Sequence, residues 1–170
     1  AKRIITISRE VGSGGRFIGE EVAKKLGIAY YDKEMIGQIA EQAGLSSEYV
    51  RENAELSPKK GWFAYAFSGR DITGKSVEDM VYEAQRKVIM EIAEKENCVI
   101  IGRNADFILK DRKDVLNVFI HGSIPEKVRR ICSLYNVTEV DAIKMINDID
   151  KRRRTNYNFY NEQKWGMAEN

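Results

Sequence analysis

This sequence has little of what several kinds of site are made from. It holds one histidine, His121, and two cysteines, Cys98 in an apolar run and Cys132 within a helical pattern. Cysteines so placed match neither a disulfide framework nor a CxxC metal site, and a reducing cytoplasm is the expected setting. No apolar stretch approaches the roughly 20 residues of a membrane span, and "RIITISR" is too short and wrongly flanked for a signal peptide, so no membrane partner is expected. Excess charge is missing too. The net charge of +2 argues against nucleic acid as a partner, because binding along a phosphate backbone normally shows as a strong basic excess. There is no internal repeat, no low-complexity tract and no linker long enough to divide the chain. With 43% hydrophobic residues, a single domain over 1–170 with a proper core is expected.

What is present alternates between two periodicities. Ile4, Ile5 and Ile7 form a β-branched run ending in "SREVGSGG", as a buried parallel strand ends at a turn. From about Gly15 the spacing becomes helical. Ile18, Val22 and Leu26 are expected to share its apolar face, Glu20–Lys24 and Glu21–Lys25 pair along it, and Gly27 ends it. "IAYYD" reads as a second strand and "DKEMIGQIAEQAG" as a helix ending at Gly44. "SSEYVRENAE" suggests a serine-capped helix, "WFAYAF" an aromatic patch and "SGRDITGKS" a connection. Ser76 and Asp79 resemble a capping box before a helix to about Lys95, with Val81, Ala84, Val88 and Ile92 on one face. "CVIIG" and "VLNVFIHG" read as buried strands. Pro125 opens the helix "PEKVRRICSLY", and "TEVDAIKMINDIDKRR" supplies another with Val140, Ile143, Ile146 and Ile149 in phase. Strands alternating with helices imply an α/β fold, a parallel sheet with helices on both faces. Its ligand should lie beyond the carboxyl ends of the strands, where "SREVGSGG", "YDKE", "GRNAD" and "HGS" all fall.

The first of these stretches is the strongest signal. Gly12, Gly14 and Gly15, with Ser13 among them, let the backbone turn its N–H groups inward, and the helix that follows offers its N-terminus to an anion. Without a ligand the same residues would be a tight βα turn. The usual phosphate loop, GxxxxGK[ST], adds a lysine for the terminal phosphoryl oxygens and a hydroxyl for Mg²⁺. Here the lysine is absent, and Arg16 stands one residue beyond its position when the GSG segments are aligned. A guanidinium can grip phosphate oxygens bidentately but does not reproduce the geometry of an ammonium. Phe17 cannot hold a metal, which leaves Ser13, Ser8 or water.

The other stretches are more ambiguous. Arg103, Asn104 and Asp106 follow a strand, the Arg suited to a substrate phosphate and the Asn or Asp to a base or ribose; alternatively they form a surface turn with a solvated ion pair. Asp32 is placed to orient a nucleophile or to cap the next helix. "DKRRRTNYNFYNEQKW" combines Arg152, Arg153 and Arg154 with aromatics. It fits a lid closing on a phosphoryl group, a single-strand-binding surface, or a solvated helix end followed by aromatic packing.

In order and spacing, "ISREVGSGGRFIGEEVAKKLGIAYYDKEMI", "CVIIGRNADFIL" and "DKRRRTNYNFYNEQKW" together resemble the cytidylate kinase-like family, a branch of the P-loop nucleoside monophosphate kinases. The resemblance implies a three-layer α/β/α core, a nucleotide-monophosphate-binding insertion at about 45–76 and an arginine-bearing lid at about 151–165. It implies phosphoryl transfer from ATP, with Mg²⁺, to CMP or dCMP. It sets Gly12, Ser13, Gly14, Gly15 and Arg16 at the donor phosphates, Asp32, Arg103, Asn104 and Asp106 at the acceptor, and Arg16, Arg152 and Arg154 as catalytic residues. There are departures: GSGGRF stands for GSGKGT, Gly102-Arg103-Asn104 for GRD, and Lys33-Glu34 for a serine-glycine pair. The further strand and C-terminal helix of the family fold are expected to be absent after "GMAEN". Arg16 is expected to take over the charge of the lysine. A nucleotide-binding regulatory module without turnover, or a kinase for another small acceptor, are the alternatives.

Overall fold

The structure is a computed structural model and describes residues 3–45 and 77–168. The expected serine-capped helix, the aromatic patch, the connection after it, the Ser76 cap and nearly all of the 45–76 insertion lie outside the described residues. The elements in chain order are β1 (Ile4–Arg9), α1 (Gly15–Leu26), β2 (Ala29–Tyr31), α2 (Lys33–Leu45) and α3 (Val77–Lys95). They continue with β3 (Cys98–Ile101), α4 (Ala105–Ile108), β4 (Val115–Ile120), α5 (Ile124–Tyr135) and α6 (Glu139–Tyr160). Two compact units result, Ala1–Tyr31 with Glu96–Asn170, and Asp32–Lys95.

The first unit is built on a parallel sheet of order β2-β3-β1-β4. All four residues of β3 are buried, as expected of an apolar strand inside a parallel sheet. Ile7 of β1 is level with Ile101 of β3, and Gly102 N–H donates to the Ile7 carbonyl at 2.9 Å. β1 continues for two further residues, which pair with Phe119 and Ile120 of β4. The connections leaving β1 and β3 run in opposite directions across the sheet, so the crevice at the ends of these two neighbours is where a ligand belongs.

The face that α1 buries differs from the expected one. Gly15, Gly19 and Ala23 are buried, whereas Ile18 is 42% and Leu26 58% exposed. Close approach to the sheet is the reason. A Cβ on Gly19 would lie 2.4 Å from Ile101 Cδ1 and 3.2 Å from Ile7 Cδ1, so small residues, rather than the largest apolar ones, face the strands. Ile7, Ala23, Val99 and Ile101 form the core there. α5 and α6 pack together through Val128, Ile131, Ala142 and Ile146, with Val11 of the β1–α1 loop joining them.

Along α6 the buried line is Ala142, Ile146, Asp150 and Tyr157. Of the face expected from the sequence, Val140 and Ile143 are exposed; a carboxylate has taken a place on the inner side. The helix is capped by Thr138, whose Oγ1 accepts the Asp141 N–H, and runs unbroken to Tyr160, so much of the basic run is helix. In the second unit, Asp32 caps α2 by accepting the Met35 N–H at 3.0 Å. α2 passes through Gly44 to Leu45 instead of stopping at the glycine and packs on α3, where Val88, Ile89, Ile92 and Ala93 are buried. Among the described residues no helix is long and apolar enough to cross a membrane.

Candidate functional site

The loop from Glu10 to Gly14 turns the chain from β1 into α1. Gly12 and Gly14 have φ of 75° and 81°, a region that costs any other residue strain. At Gly12 space is also lacking, since a Cβ would lie 2.9 Å from the Lys127 carbonyl oxygen. Ser13 Oγ donates to the Glu10 carbonyl at 2.7 Å and accepts the Gly15 N–H at 3.3 Å, holding the turn from within. Gly14, at the N-cap of α1, brings no side-chain cap, and the first turn has no acidic residue. The positive end of the helix is left for an anion.

A balanced set of charges anchors this loop to α5 and α6. Lys127 Nζ, on a side chain only 5% exposed, lies 3.0 Å from Glu10 Oε2 and 3.8 Å from Asp150 Oδ2. Asp150 Oδ1 accepts the Val11 N–H at 2.8 Å, and Glu10 Oε2 accepts the Gly122 N–H at 3.2 Å. Arg130 donates to the Gly12 carbonyl. Burial pushes the Glu10 carboxyl up, but the Lys127 ammonium, the Gly122 N–H and His121 outweigh it and hold the group below its ordinary value. At Asp150 burial prevails over the Val11 N–H, Lys127 and Arg153, and the carboxyl is raised.

A second set gathers like charges around Arg9. The stem of Arg9 passes beside Gly15, where a Cβ would lie 2.5 Å from Arg9 Cβ and 2.8 Å from its Cγ. Its guanidinium reaches Gly102, where a Cβ would lie 2.5 Å from Nη1. Arg9 thus runs between two glycines, one opening α1 and one closing β3. Burial, then Arg153, Arg103 and Arg16, push its pKa down from 12.5 to about 10, against a smaller opposing contribution from Tyr30. Among the described residues no carboxylate pairs with the Arg9 guanidinium. Arg103 is lowered by burial and by Arg153. Arg153 is lowered mainly by burial, although Asp150 and Tyr135 work the other way; its Nη1 donates to the Arg9 carbonyl at 3.0 Å and lies 3.9 Å from Asp150 Oδ1. The turn carrying Arg103 is strained: Gly102, Arg103 and Asn104 have φ of 65°, 57° and 57°. Two consecutive non-glycine residues in that region cost of order 1 kcal/mol or more each, and such strain gathers at functional sites.

The structure therefore brings Gly12, Ser13, Gly14, Gly15, Arg16 and Arg103 to one end of the sheet and adds Arg9, which no pattern in the sequence marks, and Arg153, of the basic run. Arg16 sits exposed on the first turn of α1. Arg152 and Arg154 are exposed, with Arg154 5.7 Å from the Trp165 ring. Arg153, the half-buried one of the three, stands three residues past Asp150 and four before Tyr157 on the inner side of α6. Asn104 is buried and lies 3.5 Å from the Asn156 side chain. Asp106 Oδ2 accepts from the Tyr157 hydroxyl at 2.8 Å, Oδ1 is buried with no partner among the described residues, and burial raises the carboxyl despite that hydroxyl. Asp32 is part of the second unit, as the cap of α2.

The donor set suits a polyphosphate: glycine N–H groups, an uncapped helix start and a cluster of guanidiniums. It does not suit a metal held by protein alone. Among the described residues no group of three His, Cys, Asp or Glu is placed for one, the Ser13 hydroxyl is engaged on both sides, and Phe17 offers no oxygen. Mg²⁺ commonly arrives on substrate phosphates and keeps several waters, and that is the form in which these residues would meet it.

Parallel α/β architecture with a glycine loop between β1 and α1 is a fold of the kind that P-loop kinases have. The chain belongs to the cytidylate kinase-like family, which it matches over residues 4–170. It is similar to the crystal structure of an uncharacterized protein from Eubacterium ventriosum, with a TM-score of 0.75 and 28% identity over 99% of this chain and 83% of that one. It is similar in fold to shikimate kinase from Bacteroides thetaiotaomicron, with a TM-score of 0.52 and 19% identity over 93% of this chain and 82% of that one. No curated protein matches the chain. Family membership supports a phosphotransferase that acts on a nucleotide or another small molecule.

Proposed function

We propose that the chain transfers a phosphoryl group from ATP to a nucleoside monophosphate, with CMP or dCMP as acceptor, in the cytoplasm. The observation that carries this reading is the cluster of arginines around Arg9 at the glycine loop of a cytidylate kinase-like chain. Phosphoryl transfer asks a protein mainly for positioning and charge, and arginines held close against their mutual repulsion are relieved when a polyphosphate binds. Gly12, Ser13, Gly14, Gly15 and Arg16 are the contacts for the donor phosphates. Arg103, Asn104 and Asp106 are those for the acceptor, where the Asp106 oxygen that is buried with no partner among the described residues suits a hydrogen bond from a base or ribose; Asp32, on the second unit, is a further candidate. Residues 45–76 serve as the acceptor-binding insertion and 151–165 as a lid, with Arg152 and Arg154 closing on the transferring group. When bound, Mg²⁺ offsets charge on the phosphates.

The test is ADP release from ATP and Mg²⁺ with CMP, dCMP, UMP, AMP and GMP offered separately and the diphosphate product identified. Preference for CMP or dCMP by about tenfold or more, a difference of about 1.4 kcal/mol, is expected. ATP binding with no turnover on any acceptor would instead make the chain a nucleotide-binding module, and turnover confined to another small molecule would reassign the acceptor.

A further inference from the structure

We infer that Arg9 supplies the charge of the missing loop lysine, by an exchange of side chains between two positions of the loop. The inference rests on the reading of this loop as the donor-phosphate site. Set against GxxxxGK with Gly14 as the second glycine, the first glycine of the motif falls on Arg9 and its lysine falls on Gly15. Where the motif has glycine the chain has a cation, and where the motif has the cation the chain has glycine.

The geometry shows why the two changes belong together. A Cβ at Gly15 would stand 2.5 Å from Arg9 Cβ and 2.8 Å from Cγ, distances that non-bonded atoms do not adopt. On this backbone only one of the two positions can bear a side chain. The one that does so sends its guanidinium across the crevice to the end of β3, where Gly102 leaves it room. The Arg153 bond to the Arg9 carbonyl fixes the base of the side chain. No carboxylate among the described residues claims the guanidinium, and its charged neighbours are other arginines. A group held in this way is set for an external anion beside the loop N–H groups, which for a donor nucleotide means the phosphates remote from the nucleoside. Arg16, exposed on α1, is then an auxiliary contact rather than the lysine's counterpart.

The test is a cycle on the full chain: Arg9→Gly, Gly15→Lys and the two combined, which together restore the GxxxxGK pattern. ATP affinity by calorimetry, ADP release and melting temperature are measured for each. Arg9→Gly should melt like the wild type yet lose about 10²-fold in turnover and about tenfold in ATP affinity, the loss of a charge-assisted hydrogen bond. Gly15→Lys should lower the melting temperature through its collision with Arg9. The combined variant should regain that stability and at least about tenfold of the turnover or affinity lost by Arg9→Gly. ATP affinity in Arg9→Gly within about threefold of wild type, or a folded combined variant no better than Arg9→Gly, would overturn the inference. The two readings separate: a wild type that binds ATP but phosphorylates no monophosphate ends the proposed function while the affinity cycle still decides on Arg9. Cytidylate turnover indifferent to Arg9→Gly ends only the inference. Failure of the wild type to bind ATP ends both.

Discussion

Lys127 and Arg9 are both cations drawn in beside the same loop, but their surroundings are opposite. Lys127 stands between Glu10 and Asp150, which in turn hold the backbone at Gly122 and Val11. Arg9 is surrounded by Arg103, Arg153 and Arg16. The first arrangement is complete in the protein alone and keeps the loop in shape. The second crowds like charges together, and an anion would relieve it. Together they show how a backbone too tightly turned to hold itself can be fixed rigidly and still present a net positive site.

The largest expected effect breaks the balanced side. Lys127→Met leaves two carboxylates without their ammonium and should cost about 3–5 kcal/mol, a fall in melting temperature of roughly 10 °C for a chain of this size. Arg153→Met is the contrasting change. It removes a charge that repels Arg9 and Arg103 along with one hydrogen bond to the Arg9 carbonyl and the 3.9 Å pairing with Asp150, which keeps Lys127 as its nearer cation, so melting should move by no more than roughly 3 °C while ATP affinity falls about tenfold. If the arginine variant is destabilised as strongly as the lysine variant, the two sets do not differ in kind. Gly102→Ala tests the path of Arg9 from its far end. An added methyl meets Nη1 and the residue must hold a φ of 65°, so about 1 kcal/mol of stability should be lost together with a weaker, measurable drop in ATP affinity.

The smallest effect is one of pH. Glu10 has its folded pKa below 4.5, so its contribution to stability is present above about pH 4.5 and is lost as the pH falls through the folded value. Asp150, raised above 3.8, works in the other direction: its ionised form burdens the fold above its folded pKa, and the burden lifts as the pH falls through that value. Glu10→Gln should therefore melt below the wild type at pH 7, with the gap closing below about pH 4.5. A gap that stays constant down to pH 3 would mean that the Lys127 pairing contributes nothing.

Much of this was legible in the sequence. Parallel strands such as "CVII" announce themselves by unbroken apolar runs, and the glycines of the loop and Arg103 fall at strand ends by their order alone. The buried faces of α1 and α6 are only partly legible. Hydrophobic periodicity favours the largest apolar residues, whereas the distance between α1 and the sheet selects Gly15, Gly19 and Ala23, and the inner line of α6 carries Asp150 as a partner for a backbone N–H. The same bias hid Arg153 beside its exposed neighbours. Arg9 was hidden for another reason. A search for the missing lysine looks where the lysine should be, while the structure offers a cation from the other end of the loop, and only the contact with Gly15 links the two positions. The set around Lys127 joins residues far apart in the chain, which no local pattern displays.

The most direct measurement is the melting of the wild type, Arg9→Gly and Lys127→Met with and without ATP and Mg²⁺. At ATP about 100 times its dissociation constant the wild type should gain about 2.7 kcal/mol, some 5–10 °C. Lys127→Met, starting lower, should show a comparable rise where it remains folded, and Arg9→Gly, starting close to the wild type, should show about half of it, roughly 1.4 kcal/mol, because its tenfold weaker affinity leaves the same ATP at about 10 times the dissociation constant. An equal rise in the wild type and Arg9→Gly, or none in the wild type, would contradict the assignment of the arginines around Arg9 to a polyphosphate.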